Sequence, residues 1–579
     1  MNHKKLKLGL LFAACATTVQ AAQPEADLIL RNGQFYTQNG WAKAVAISRG
    51  VIVAVGDDAA VDAHKAARTQ VVDLQGAAVL PGLHDMHVHP MGAGLTKLSC
   101  LFPQGSPAKV IMETVQKCAA SKQKGEWITG GQWDTASFGG KTPPDRKFLD
   151  RAAPDNPVVL TDISGHSAWA NSKALQLAGI TAKTPNPAGG IIERDAKGEP
   201  TGLLREAGAN LVRSIVPPYT PEQNATALAS SLKLMLSYGI TAFTDAAVET
   251  NALRAYATLA DQGVLKQHVK ACLMYRPAAA NDPNTLPDYI LDRNLYTRER
   301  FSPTCIKMFL DGVPTDGHTA AMVDPYEHTE GMAPDRARGI LMVPLETLKA
   351  AVTRLDAQGF TVKFHAAGDA AVRAGLDAIE AARKANGFGG LLHEVGHDSF
   401  VQMSDIRRGR DLAATFEFSP YIWYPNPIIP DIMKATGDDR MKRWIPLKDA
   451  IDAGALVVPG SDWSVVPSVN PWLAIETLVT RQKPGGGGEV LGAEERITIQ
   501  QAIDMFTVNS AREMYASTRT GRIARGMMAD LIVLDRNPLQ IPITQVHETR
   551  VKMTLINGEK VWADDRTDGG TPGKSASHP

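Results

Sequence analysis

Eight apolar, strand-like runs recur along the middle of the chain with amphipathic stretches between several of them, and this alternation limits the fold more than any other feature. The runs are Leu83 to His89, Ile240 to Asp245, Val269 to Tyr275, Cys305 to Asp311, Thr361 to Ala366, Leu391 to His397, Ala413 to Ser419 and Leu456 to Asp462. Stretches such as Glu222 to Ser237 and Ala370 to Lys384 carry helical spacing. Strands alternating with helices predict an α/β fold built around a parallel sheet. Eight such units predict a TIM-like (β/α)8 barrel, with any chemistry at the C-terminal ends of its strands. Roughly 150 residues separate the first two strands, too many for a loop. The segment from about 100 to 210 is therefore expected to be an insertion with structure of its own, packed over the barrel mouth.

The two ends of the chain read differently from the middle. Short strand-like runs with Asn32-Gly33 and Arg49-Gly50 turns fill residues 22–80, and similar runs with an Asn557-Gly558 turn fill 521–565. Turns of this kind connect hairpins, so both ends are expected to build one composite β-sandwich domain flanking a barrel of residues 81–520. The Gly-rich run Pro484 to Gly488 and the tail 566–579 are expected to be flexible. At the other extreme, Lys4, Lys5 and Lys7 precede a short apolar core, Leu8 to Ala16, and small residues around Val19-Gln20-Ala21. That is the pattern of a secretory signal peptide, residues 1–21, cut after Ala21. Cys15 follows Phe12-Ala13-Ala14, a poor match to a lipoprotein signal, so export to a periplasm is preferred over a lipid anchor. In an oxidising compartment Cys100 and Cys118, which flank an expected helix from Pro107 to Lys117, are expected to pair. Cys272 and Cys305 lie inside apolar runs and are expected to stay as buried thiols.

Charge excludes some functions. The 61 basic and 61 acidic residues cancel, so no net field draws the chain to nucleic acid or to an anionic membrane. A small-molecule substrate is the expected partner, with a homodimer left open. The sequence has no Gly-x-Ser-x-Gly elbow, no phosphate-binding loop and no dinucleotide fingerprint in a strand–helix context.

What the strands carry is more informative. His87 and His89 stand at i and i+2 on the first run, so a strand points both imidazoles to one face. Lys307 lies on the fourth run, His365 on the fifth, His397 on the sixth and Asp462 on the eighth. Imidazole and carboxylate donors suit zinc or a similar divalent metal. On the sixth run His393 and His397 share a face, and periodicity does not choose between them.

At this point the chain resembles a known family. The stretch Pro81-Gly82-Leu83-His84-Asp85-Met86-His87-Val88-His89-Pro90 resembles the first-strand signature of the amidohydrolase superfamily. From about Ala26 to Trp562 the chain is similar to amidohydrolase family 3, the branch that includes N-substituted formamide deformylase. The segments that carry this include Trp127 to Asp134, Gly165 to Ser172, Gly189 to Glu193, Thr201 to Glu206, Lys307 to Gly312, His365 to Asp369 and Gly460 to Trp463. The resemblance implies one metal on His87, His89 and Asp462, a second on His365 and His397, and Lys307 bridging both as a carboxylated lysine. A lysine carbamate is an anion, and its formation requires the neutral amine that burial promotes. The competing reading is a structural Lys307 salt-bridged to Asp311. Family spacing to Asp405-Ile406-Arg407-Arg408 prefers His397 over His393, although Glu394 stands where many relatives carry Arg.

The reaction so implied is hydrolysis of a non-peptide carbon–nitrogen bond in an amide, imide or N-acyl compound by a metal-activated water, with Asp462 as catalytic base. An esterase on the same centre and a non-catalytic binding or regulatory protein are the alternatives. His166, Trp133 and Asp134 are candidate substrate-binding residues. His84 is expected to be packed behind the strand, and His318 to be a solvated loop residue.

Overall fold

A computed structural model describes residues 24–139, 144–277, 285–315, 317–329, 336–419 and 428–564. The signal-peptide segment and the tail lie outside the described residues. Eight parallel strands form one sheet in sequential order: Leu83–Val88, Ile240–Val248, His268–Met274, Phe301–Phe309, Thr361–Ala366, Glu394–His397, Thr415–Phe418 and Leu456–Pro459. They are numbered first to eighth below. The sheet curls until its edges meet: Val88 bridges Trp463 in parallel, Asp462 N–H donates to His87 O at 2.7 Å, and His89 N–H donates to Trp463 O at 2.6 Å. These closing bonds set the first strand's histidines beside the aspartate that follows the eighth. The eight expected strands are all present in a TIM-like barrel.

Helices wrap the outside because their apolar residues recur at helical spacing. Pro221–Ser237 starts at a capping box in which Thr220 and Gln223 satisfy each other's backbone N–H groups. Asp369–Asn386 buries Val372, Leu376 and Ile379 against the sheet; each such side chain contributes roughly 1.5–3 kcal/mol by leaving water. No helix among the described residues is long and apolar enough to cross a membrane.

Mixed sheets form additional domains. Strands from both chain ends share one six-stranded sheet, in which Leu531–Leu534 pairs antiparallel with Ala78–Pro81. A four-stranded sheet, Val51–Gly56, Ala44–Ser48, Leu28–Arg31 and Gln70–Asp73, packs on it over Leu30, Phe35, Val45, Ile47, Val79, Leu531 and Leu555. Arg49-Gly50 and Asn557-Gly558 both turn with positive φ, as two-residue hairpin turns require. Between the first two barrel strands lies another six-stranded sheet, from Cys100–Leu101 to Pro200–Glu206, with its own apolar core.

Cys100 and Cys118 are disulfide-bonded, tying a strand of this insertion to the helix Ala108–Ala120. Cys272 and Cys305, expected as free thiols, are also bonded to each other. They are register partners on the third and fourth strands with Cα atoms 4.2 Å apart. The run Gly485–Gly488, expected to be loose, is tied at Gly485, whose N–H donates to the buried Glu476 carboxylate at 2.6 Å.

Candidate metal centre

The C-terminal end of the barrel opens into a cavity of about 470 Å³ whose walls include His87, His89, Lys307, His365, His397 and Asp462. The six come from five strand ends. His89 Nε2 lies 3.2 Å and His87 Nε2 3.7 Å from Asp462 Oδ1. The His397 ring centre is 4.6 Å from that of His87 and 4.4 Å from that of His365. His397 (φ 75°) and Asp462 (φ 56°) both occupy the left-handed region. Such backbone costs energy away from glycine and concentrates at functional sites.

Three of the histidines are held in one tautomer by hydrogen bonds on their Nδ1 side. His365 Nδ1 donates to Asp311 Oδ1 at 3.0 Å, and Asp311 also accepts the N–H groups of Ala321, Ala367 and Gly368. His87 Nδ1 donates to Glu417 Oε2. His397 Nδ1 donates to Ser419 Oγ at 3.2 Å, and that hydroxyl donates to Glu417 Oε1 at 3.1 Å. Glu417 thus orients two histidines from different strands, one directly and one through Ser419. Fixing Nδ1 this way leaves each Nε2 lone pair for a metal. Burial, reinforced by neighbouring positive charge, holds all three imidazoles well below their ordinary pKa, in the neutral form a metal requires.

Glu417 was not foreseen, although its acid in the apolar run Thr415–Phe418 was a signal. Burial pushes its carboxyl upward, but Lys363 together with its other charged neighbours and the Ser419 hydroxyl outweighs this and holds it below the usual range. Lys363 lies beneath, 3.4 Å from Glu417, paired also with Glu394 and donating to Met86 O at 3.1 Å. The departure at Glu394 therefore has a partner: it shares the Lys363 ammonium. Gly460 is forced by the same packing, since a Cβ there would collide with Glu417 and His87.

Lys307 is fully buried, and its Nζ has no hydrogen-bond partner among the described residues. Asp311 does not bridge to it, being committed to His365 and three backbone N–H groups. Burial, with the charge of Lys363, drives Lys307 down to about 7. An orphaned amine whose neutral form is about half populated near pH 7, among neutral imidazoles and a carboxylate, suits a carbamate bridging two cations. Ligand atoms of His87, His89 and Asp462 all lie within 4.8 Å of one another, as do those of His87, His397 and Glu417. The donor set fits a divalent metal.

His393 is separated from His397 by its partners. Its Nδ1 accepts the Val362 N–H at 3.1 Å and its Nε2 donates to Asp356 at 2.9 Å. Neither nitrogen is left for a metal. His166 lines the cavity with its ring centre 5.0 Å from that of His365. Glu206 accepts from its Nδ1 at 2.8 Å and, against the effect of burial, raises its pKa.

Trp133 and Asp134 do not join the described cavity wall. The Trp133 indole is buried in the insertion's core and donates to Leu160 O at 3.1 Å, while Asp134 accepts from Ser137 N–H at 2.8 Å within a tight turn. Both side chains, expected to bind substrate, serve the insertion's own packing instead. His318, expected to be solvated, is buried and stacked on Tyr326 at 4.5 Å. His84 is buried behind the strand, where burial drives it to about 4.

A TIM-like barrel whose strand ends converge on this donor set defines a metal-dependent hydrolase. The chain belongs to the amidohydrolase family, whose model matches residues 70–562. It is 30% identical over 552 residues to the protein YtcJ of Bacillus subtilis (strain 168), covering 92% of this chain and 99% of that one. It is 27% identical over 554 residues to the N-substituted formamide deformylase of Arthrobacter pascens, covering 92% and 97%. In fold it matches an uncharacterized metal-dependent hydrolase of Pyrococcus horikoshii OT3 with a TM-score of 0.70 at 24% identity, over 89% of this chain and 99% of that one.

Proposed function

We propose that the protein hydrolyses a non-peptide carbon–nitrogen bond in an amide, imide or N-acyl compound. His87, His89 and Asp462 would hold one ion, His365 and His397 a second, and a carboxylated Lys307 would bridge them, with zinc the expected metal. Such ions, when bound, supply Lewis acidity toward the substrate carbonyl and acidify water at the site. The observation that carries the reading is Asp462, whose carboxylate sits at the cavity edge 3.2 Å from His89 Nε2. It takes the proton of the attacking water and delivers it to the departing nitrogen. An amine needs that proton to leave, whereas an alkoxide depends on it far less. His166, backed by Glu206, offers its remaining ring N–H to the substrate. The likeness to an N-substituted formamide deformylase supports the same bond type.

The test is a comparison of N-formyl amines with matched formate esters on metal-loaded protein, wild type and Asp462→Asn. The expected result is amide turnover in the wild type and near-complete loss in the variant. Ester turnover alone, or amide turnover surviving in Asp462→Asn, overturns the reading.

Export belongs to the same proposal. Two disulfides, Cys100–Cys118 and Cys272–Cys305, suit an oxidising compartment and support a signal peptide cut after Ala21. Mass measurement of the purified N-terminus tests it: a mature chain starting after Ala21 is expected, and a full-length one contradicts it.

A further inference from the structure

A second cavity of about 910 Å³ lies against the first, between the insertion and the barrel. The two share four wall residues, Ile163, Gly165, Arg213 and Val465, so the larger cavity adjoins the space around the metal centre at these residues. Arg213 is the one charged group in the shared wall. Its Nη2 donates to Ser167 O at 2.9 Å and to Thr161 Oγ1 at 3.4 Å, while its Nε and Nη1 donate to no described residue. It forms no ion pair within 4 Å among the described residues.

The nearest acids are committed elsewhere. Glu206 accepts from His166 and from Thr319 Oγ1, each at 2.8 Å. Asp162 accepts from Ser164 Oγ at 2.5 Å and from Ser167 N–H at 2.7 Å. An arginine fork without a carboxylate partner, lining both cavities, is arranged to receive a planar anion in two parallel hydrogen bonds. The position is also informative. Ser167, which Arg213 holds, directly follows His166, whose ring contacts His365.

We propose that Arg213 is a specificity-determining residue that binds a carboxylate carried by the substrate away from the scissile bond. The rest of that substrate extends into the larger chamber. The substrate class is therefore an amide bearing a carboxylate, such as an N-acyl amino acid, and the proposal rests on the carbon–nitrogen hydrolysis argued above.

The experiment measures kcat and KM of metal-loaded wild type, Arg213→Met and Arg213→Lys on N-formyl amino acids and on the corresponding uncharged N-formyl amines. A charge-assisted pair lost to methionine is expected to lower kcat/KM on the carboxylate substrates by about tenfold to a hundredfold. The loss should fall mainly in KM and should clearly exceed any loss on the uncharged amines, and lysine should restore part of it. Equal losses on both substrate sets, or wild type that does not favour the carboxylate over the uncharged amine, overturn the proposal. Hydrolysis of neither set by wild type, with matched formate esters cleaved, fails the amidase reading itself and takes the proposal with it. Circular dichroism identifies a misfolded methionine variant, in which case the lysine variant and the wild-type preference decide.

Discussion

Lys307 should weaken the metal-free fold, and replacing it with methionine should strengthen that fold. In the metal-free protein its buried amine has been driven from 10.5 to about 7. The folded chain resists a proton that the unfolded chain binds readily, so the lysine costs stability wherever that difference operates. The penalty is full below about pH 7, on the order of 5 kcal/mol at about 1.4 kcal/mol per pH unit. It shrinks as the pH rises toward 10.5, to about 2 kcal/mol at pH 9. Lys307→Met keeps the stem volume and removes the charge. If the chain melts as one unit, the gain near pH 7 corresponds to a rise of roughly 3–4 °C in Tm. The assay is thermal melting of chelator-treated wild type and variant from pH 6.5 to 9.5, with the gap expected to narrow as pH increases. A variant melting no higher than wild type at pH 7, or a gap independent of pH, would refute the reasoning and mean that Lys307 is paired structurally.

The neighbouring residues give further expectations. Glu417→Gln should weaken metal binding by about tenfold to a hundredfold, read by chelator competition, because His87 and Ser419 lose the anion that orients them; unchanged affinity contradicts that role. His397→Ala should lower bound metal, whereas His393→Gln should keep it and lose stability instead, which metal analysis and melting together distinguish. Replacing both Cys272 and Cys305 by alanine opens a link with a sequence separation of 33, and should cost about 3–4 kcal/mol of stability. Denaturant melts of oxidised wild type and the double variant measure this, and identical midpoints contradict it.

Much of this was legible because strand and side-chain periodicities are local. Apolar runs marked all eight strands, and the i, i+2 spacing put His87 and His89 on one face before any partner was known. Helical spacing likewise marked Glu222 to Ser237 and Ala370 to Lys384, which fall within Pro221–Ser237 and Asp369–Asn386. What stayed hidden depends on register and on partners far away in the chain. His393 and His397 are equivalent by period, and only Asp356 and the Val362 N–H remove the first from contention. Cys272 meets Cys305 because two parallel strands align at that pair. Trp133 carried the right chemistry for a substrate pocket, yet the insertion's own core takes it. Arg213 gave no signal at all, since a helix-end arginine is ordinarily solvated, and here two cavities meet beside it.

The central claim is a two-ion centre bridged by Lys307. The most direct measurement is metal content per chain, by inductively coupled plasma mass spectrometry, of protein purified without chelators. The account predicts about two zinc or similar divalent ions per chain in the wild type. One ion per chain would contradict the bridge, and none after metal is offered back would contradict the metal centre itself.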